Sequence, residues 1–304
     1  MQGEAISVHY FRLPRSVERY FTAIYVTTVD CGDGEYAVDY LHPDWAGLLF
    51  ASGTPPAIVG SNGERMAQSK FIVRGATSIA TKFAVTRSRI WGMGLEPAGW
   101  ARFVDDSAER LANRLVDGYC DPAFAPFEGL QSLVESADGD LDSIADRIGD
   151  FLETLPAREV PLEDKIVECQ EAFRDPAIAT VAALRERVDI PGRSLERLCR
   201  RYFGFPPKLL IRRQRFLRSL ARFMLQSDAS WSAVLDGQYH DQSQFVRDFK
   251  SFMGLTPRQY AKLPHPVLKP VLLHRLADLE GAHETSLPSI LGRRMGRSQG
   301  PWPD

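Results

Sequence analysis

The sequence predicts an α+β protein of two domains, a β-rich N-terminal half followed by an all-helical C-terminal half. Three observations support this. Short aromatic and β-branched runs alternate with turn clusters over residues 20–97, apolar spacing changes to helical period beyond residue 98, and charge is divided unevenly along the chain. Residues 1–164 carry 14 Lys/Arg against 25 Asp/Glu, a net of −11, whereas 165–262 carry 18 against 10, a net of +8. Residues 263–304 carry 5 against 4, a net of +1. A basic block beside an acidic one reads as a nucleic-acid module joined to a part that does not touch nucleic acid.

The expected strands are 20–29, 47–51, 57–60, 71–73, 79–86 and 89–95. Turn clusters at 31–34, 52–56 and 61–63 separate them, a spacing that suits a sandwich or barrel. Between 141 and 155 apolar residues recur at 141, 144, 145, 148, 151, 152 and 155, one face of a helix with acids opposite. That helix either packs on its own β-domain or pairs with a second copy, so a homodimer is a candidate assembly. Trp100 is expected to anchor helix to barrel. The resulting division is 1–155 as an effector-binding or dimerisation domain, 156–163 as linker, 164–262 as the helical domain, and 263–304 as a partly disordered extension with a short helix near 267–280.

Composition excludes several classes. An apolar fraction of 44% supports packed cores. Cys31, Cys120, Cys169 and Cys199 form no Cys-x-x-Cys pair, which argues against a zinc site or disulfide framework and suits a reducing cytoplasm. There is no apolar run of membrane-spanning length, and the N-terminus has no basic start followed by an apolar core. His9, His42, His240, His265, His274 and His283 include no His-x-His pair, and only His42 lies near the expected strands, so neither a metal nor catalysis is expected. Cys31 reads as a turn cysteine, and Gly92–Glu96 lacks the glycine spacing of a nucleotide loop. No cofactor is implied.

The helical half contains a tandem repeat. Unit one is a short helix at 180–188, a break at 189–192 and a longer amphipathic helix at 193–204. Unit two repeats the plan at 231–235, 236–240 and 241–254, and a helix from Lys208 to Leu225 joins them. Each longer helix has a core face, Leu195, Leu198 and Tyr202 or Phe245, Phe249 and Phe252. Polar side chains able to read a major groove lie opposite, Arg suiting guanine and Gln suiting adenine. Two such helices on a rigid connector would enter groove segments about 34 Å apart.

GlyLeuThrProArgGlnTyr (254–260), behind AspGlnSerGlnPheValArgAspPheLys (241–250), resembles the signature of AraC/XylS-family transcription regulators. ArgGlnArgPheLeuArgSerLeu (213–220) is similar to the connecting-helix motif of that family, and the likeness covers roughly 165–262. AspTyrLeuHisProAspTrpAla (39–46) and GlyMetGlyLeuGluProAlaGlyTrpAla (92–101) resemble the cupin-like sensor domain of one branch. The resemblance implies a cupin-like β-barrel with flanking helices ahead of a tandem helix-turn-helix domain. It implies double-stranded DNA as partner, a small-molecule or protein effector, and RNA polymerase as a candidate partner. Base-reading positions fall on Arg193, Glu196 and Arg197 in unit one and on Gln242, Ser243, Gln244 and Arg247 in unit two. Arg200, Arg201, Lys208 and Lys250 fall where phosphates are met. Tyr25, Tyr40, Trp45, Phe83 and Trp91 are candidates for an effector pocket, against the plainer reading of core aromatics.

The chain departs from the family pattern in both units. Arg185 and Val234 stand where a small Ala is usual, and Asp189 and Gln238 where a turn Gly is usual. Pro191 replaces a Ser cap and Cys199 a core Phe. Losing a cap costs about 1 kcal/mol. These changes leave two functions open, a sequence-specific regulator and an interaction module that kept the fold without specific DNA binding.

Overall fold

The structure is a computed structural model that describes residues 5–32, 35–60, 63, 65–66, 69–136, 140–225 and 235–268. Among the described residues, ten strands make up the sheets of the N-terminal half. They are β1 (Ala5–Phe11), β2 (Phe21–Asp30), β3 (Ala37–Leu41), β4 (Ala46–Gly53), β5 (Ala57–Val59), β6 (Arg65–Met66), β7 (Phe71–Arg74), β8 (Thr81–Val85), β9 (Ser88–Leu95) and β10 (Leu115–Asp117). Helices α1 (Pro97–Phe103), α2 (Gly129–Glu135) and α3 (Leu141–Glu153) follow, with 3-10 turns between α1 and α2.

The strands form two antiparallel sheets, β1-β2-β9-β4-β7-β10 and β3-β8-β5-β6. Among the described residues no ladder joins them, so the two sheets face each other as a sandwich, one of the two architectures the strand spacing suits. Alternation along the central strands explains the layering. Leu49, Ile72 and Ile90 point between the sheets with Ile58, Phe83 and Val85. Their neighbours Leu48, Phe71, Val73 and Trp91 point to the opposite face and pack in one core with α1–α3. A sheet buried on both sides reads as near-continuous apolar runs. Strands β1, β3, β6 and β10 were not foreseen. The helix α3 buries Ile144, Ala145, Ile148 and Leu152 in that core, so its apolar face is covered by its own domain.

Residues 156–162 run over the surface and are pinned rather than free. Arg158 donates from its backbone to Arg102 O (3.0 Å) and from Nη1 to Val104 O (3.0 Å). The helical half then comprises α4 (Glu163–Arg174), α5 (Val181–Val188), α6 (Gly192–Leu198), α7 (Pro207–Leu225), α8 (Gln242–Met253) and α9 (Pro257–Tyr260). Of the first helix expected in unit two, residues 231–234, including Val234, lie outside the described residues. So do the expected helix near 267–280, apart from 267 and 268, and the rest of the extension.

Unit one shows why its core face differs from expectation. Residues Cys199–Phe203 form a π-turn, ending at Gly204 with φ +79°. A π-turn inserts one residue into the helical register. Phe203 therefore reaches the core, fully buried, while Tyr202 stays half-buried under Arg201. In unit two the 3.6 period holds, and Phe245, Phe249 and Phe252 are all buried around Phe216. Gly254, at φ +68°, ends α8, and Thr256 with Gln259 forms a capping box at α9.

Candidate DNA-reading surface and the cavity at the domain seam

The turn in unit one keeps its shape without glycine. Asp189 occupies the left-handed region, φ +48° and ψ +57°, which Asp tolerates better than most residues. Thr180 caps α5 by accepting from Ala183 N (3.1 Å). Pro191 starts α6 with no side-chain cap. Arg185 is exposed, its guanidinium lying beside Gly192. Unit two reaches its turn differently, with neither Gly237 nor Gln238 at positive φ. Asp236 organises it instead. Its Oδ1 accepts from Gln238 N (3.0 Å), its Oδ2 from Arg218 Nε (2.5 Å), and its own N–H donates to Ser219 Oγ (2.8 Å).

Arg193 and Arg197 are exposed on α6, and Gln242, Ser243 and Arg247 on α8. Glu196 is half-buried and pairs with Arg200 (3.0 Å). Gln244 is half-buried and accepts from His240 N (3.3 Å). Arg201, Lys208 and Lys250 are exposed. Arg200 is different: its Nη1 lies 2.5 Å from Glu109 of the N-terminal half. Much of the basic excess is also turned inward. Arg212 and Arg215 of α7 pair with the buried Asp248 of α8 (2.7 and 3.0 Å), Arg218 pairs with Asp236, and Arg213 is fully buried.

Arg213 crosses the seam between the halves. Its Nη1 donates to Asp44 O (3.0 Å) and Thr77 O (2.9 Å), and its guanidinium carbon lies 4.0 Å from the Trp45 ring centroid. Burial lowers its pKa to about 10, so it stays charged at neutral pH. Trp45 also packs edge-on to Phe203 (5.5 Å), and Phe203 to Phe173 (5.3 Å). The N-terminal half and unit one thus share one hydrophobic core. Arg174 of α4 pairs with the buried Glu96, whose carboxyl is pushed up to about 7 by desolvation. Unit two docks through Ala80 N donating to Phe252 O (2.7 Å) and through His42 Nε2 with Tyr260 Oη (2.7 Å). Both stretches that carried the cupin-like resemblance supply seam residues.

A cavity of about 170 Å3 lies between the sheets and is walled on one side by the helical half. Tyr25 and Phe83 line it with Leu49, Ile58 and Ile90, while Leu217 and Ala221 of α7 and Val267 and Leu268 complete it. Tyr25 lies across Gly92, where an added Cβ would sit 2.3 Å from the ring. Arg74, 8% exposed, also faces the cavity and donates to Thr77 Oγ1 (2.9 Å). Among the described residues no carboxylate pairs with it. The other three candidate aromatics lie elsewhere. Trp91 is fully buried on the helix side of β9, stacked on Phe11, and Trp45 serves the seam. Tyr40 packs against the core of unit two. The alternation of β9 sends Trp91 away from the cavity that Ile90 faces. Sequence reasoning missed Arg74, which no motif marks.

No metal-binding cluster occurs among the described residues, and no helix there is long and apolar enough to cross a membrane. Residues 184–263 match the family model of a helix-turn-helix domain, of the AraC type. No curated protein matches the chain. Among solved structures the chain is similar to ToxT from Vibrio cholerae bound to an unsaturated fatty acid, with 12% identity over 86% of this chain and 95% of that one, TM-score 0.40. It is similar to the same protein bound to (E)-4-(8-methylnaphthalen-1-yl)but-3-enoic acid, with 10% identity over 85% and 98%, TM-score 0.40. It is also similar to the AraC-like transcriptional activator CuxR, with 14% identity over 71% and 87%, TM-score 0.30.

Proposed function

We propose, from the premise that residues 184–263 form an AraC-type helix-turn-helix domain, that this protein is a cytoplasmic, sequence-specific DNA-binding transcription regulator controlled through its N-terminal half. Residues 1–155 serve as the effector domain and 164–262 as the DNA-binding domain. The observation that carries this reading is the pair of solvent-facing helices α6 and α8, joined by α7 and presenting Arg193, Arg197, Gln242, Ser243 and Arg247 outward. Asp189 keeps the left-handed turn of unit one, so the missing glycine there does not argue for a silenced module. Arg201, Lys208 and Lys250 are the phosphate contacts.

The effector is a small molecule with an apolar body and an acceptor or anionic group that meets Arg74. The cavity walls are largely apolar, and Arg74 is the buried cation on them. Its occupancy acts on DNA binding because α7 is both a cavity wall and the connector of the two units.

Selection of random duplexes by the full-length protein, with the recovered affinity followed against salt, tests the reading. An enriched motif with two elements about one helical turn apart supports it. Absence of enrichment, with weak binding that hardly varies with salt, overturns it in favour of the interaction module.

A further inference from the structure

Beyond the helix-turn-helix domain the chain returns to the N-terminal half, and one buried carboxylate receives it. Asp39 of β3 is 2% exposed. Its Oδ2 accepts from Val267 N (3.0 Å) and Leu268 N (2.8 Å), and its Oδ1 faces His265 Nδ1 (3.0 Å) and accepts from Tyr40 N (2.8 Å). Three of the four groups around this carboxylate therefore come from residues 265–268, beyond the end of α9. A carboxylate so enclosed is tolerated only when its lone pairs are met, so Asp39 and the returning segment depend on each other.

The segment is tied at its other end to unit two. His265 is buried at φ +47°, a left-handed conformation uncommon outside glycine. Its ring lies 4.3 Å from that of Tyr260, and its Nε2 faces Tyr260 O (3.2 Å). Tyr260 is fully buried, its hydroxyl meeting His42 and its ring 5.5 Å from Phe249 of α8. Val267 and Leu268, held by Asp39, are at the same time walls of the cavity. A continuous set of contacts thus runs from cavity to Asp39, His265, Tyr260 and the second reading helix.

We propose that residues 264–268 are a strap that closes the cavity and couples its occupancy to the order of α8. The strap lies past the end of the matched domain at 263. A ligand touching Val267 and Leu268 favours the docked strap, and the docked strap fixes α8 and α9 against the N-terminal half. By linkage, loosening the strap weakens the ligand. The closing role rests on the reading of the cavity as an effector site, whereas the link from strap to helix does not.

Full-length Asp39→Asn and Val267→Pro test it, the first from the sheet and the second by removing one strap donor, so that either suffices if the other fails to fold. Hydrogen exchange is followed by mass spectrometry, and binding of the apolar anion 1-anilinonaphthalene-8-sulfonate to the folded protein by fluorescence titration. The expected result is that α8 and α9 amides exchange about tenfold faster with β2 and β9 unchanged, and that probe affinity falls about fivefold. Unchanged exchange of α8 and α9 in a variant with native circular dichroism overturns the proposal. Faster exchange with no probe binding to the wild-type chain supports the link from strap to helix and overturns both its closing role and the effector reading of the cavity.

Discussion

The guanidinium of Arg213 lies 4.0 Å from the Trp45 ring, with its Nη1 shared between the carbonyls of Asp44 and Thr77. Arg213 belongs to the helix that connects the two units, and its partners all belong to the N-terminal half. The contact makes the connector part of the seam, so the halves are fastened at the element that sets the spacing of the reading helices.

Arg213→Ala is expected to cost about 3 kcal/mol, from the cavity it leaves and the loss of a charged donor to the Thr77 carbonyl. Arg213→Met fills most of the volume and removes a buried charge, so its cost stays within about 1 kcal/mol. Urea unfolding followed by tryptophan fluorescence and circular dichroism measures both. An Ala variant with the wild-type midpoint would remove Arg213 from the account of the seam.

Glu96 makes the seam sensitive to pH. Its carboxyl titrates near 7 in the folded chain because burial disfavours the ionised form, and the Arg174 contact only partly offsets this. The folded pKa is above the unfolded one, so the contribution to stability is complete below about pH 4.5. It is lost as pH rises through about 7, by roughly 3 kcal/mol in total. Glu96→Gln should flatten that interval of the stability profile and be no less stable than wild type at pH 8. A slope that persists in the variant would assign it to other groups.

The repeat was legible because its apolar spacing is local. Phe245, Phe249 and Phe252 fall on one face by period alone, and the structure buries all three. Tyr202 misled because a π-turn is invisible to a 3.6 period, and Phe203 took its place. The seam was illegible for a different reason. Arg213, Asp39 and Glu96 find partners between 78 and 229 residues away, and no spacing rule encodes such pairs. The basic excess of the helical half points to a nucleic-acid module, yet Arg213, Arg215 and Arg218 face inward. Arg74 lies in an ordinary strand, and only the packing of two sheets makes it the cation of a cavity.

Arg200 is held by Glu109, an ion pair with both side chains 42–47% exposed. Such a solvent-screened pair contributes little to stability. It nonetheless occupies a side chain expected to meet a phosphate. Glu109→Gln should therefore tighten DNA binding by about two- to fivefold, with the salt slope steeper by about one unit. Affinity and slope measured across a salt series would show whether Arg200 is released to the backbone. No change in either would mean that Arg200 does not meet DNA.

Arg247 and Lys250 sit one turn apart on α8, both exposed, and should fail differently. Arginine at a reading position makes paired hydrogen bonds to one base, so Arg247→Ala should cost roughly 1–3 kcal/mol at one operator position and relax preference there. A lysine on phosphate carries no sequence information, so Lys250→Ala should weaken all operator variants alike and reduce the salt slope by about one unit. Binding of each variant to a panel of single-base operator changes separates the two roles. An even loss for Arg247→Ala, or a loss confined to one base for Lys250→Ala, would exchange their assignments. It would also mean that α8 enters the groove rotated from the orientation its exposed face implies.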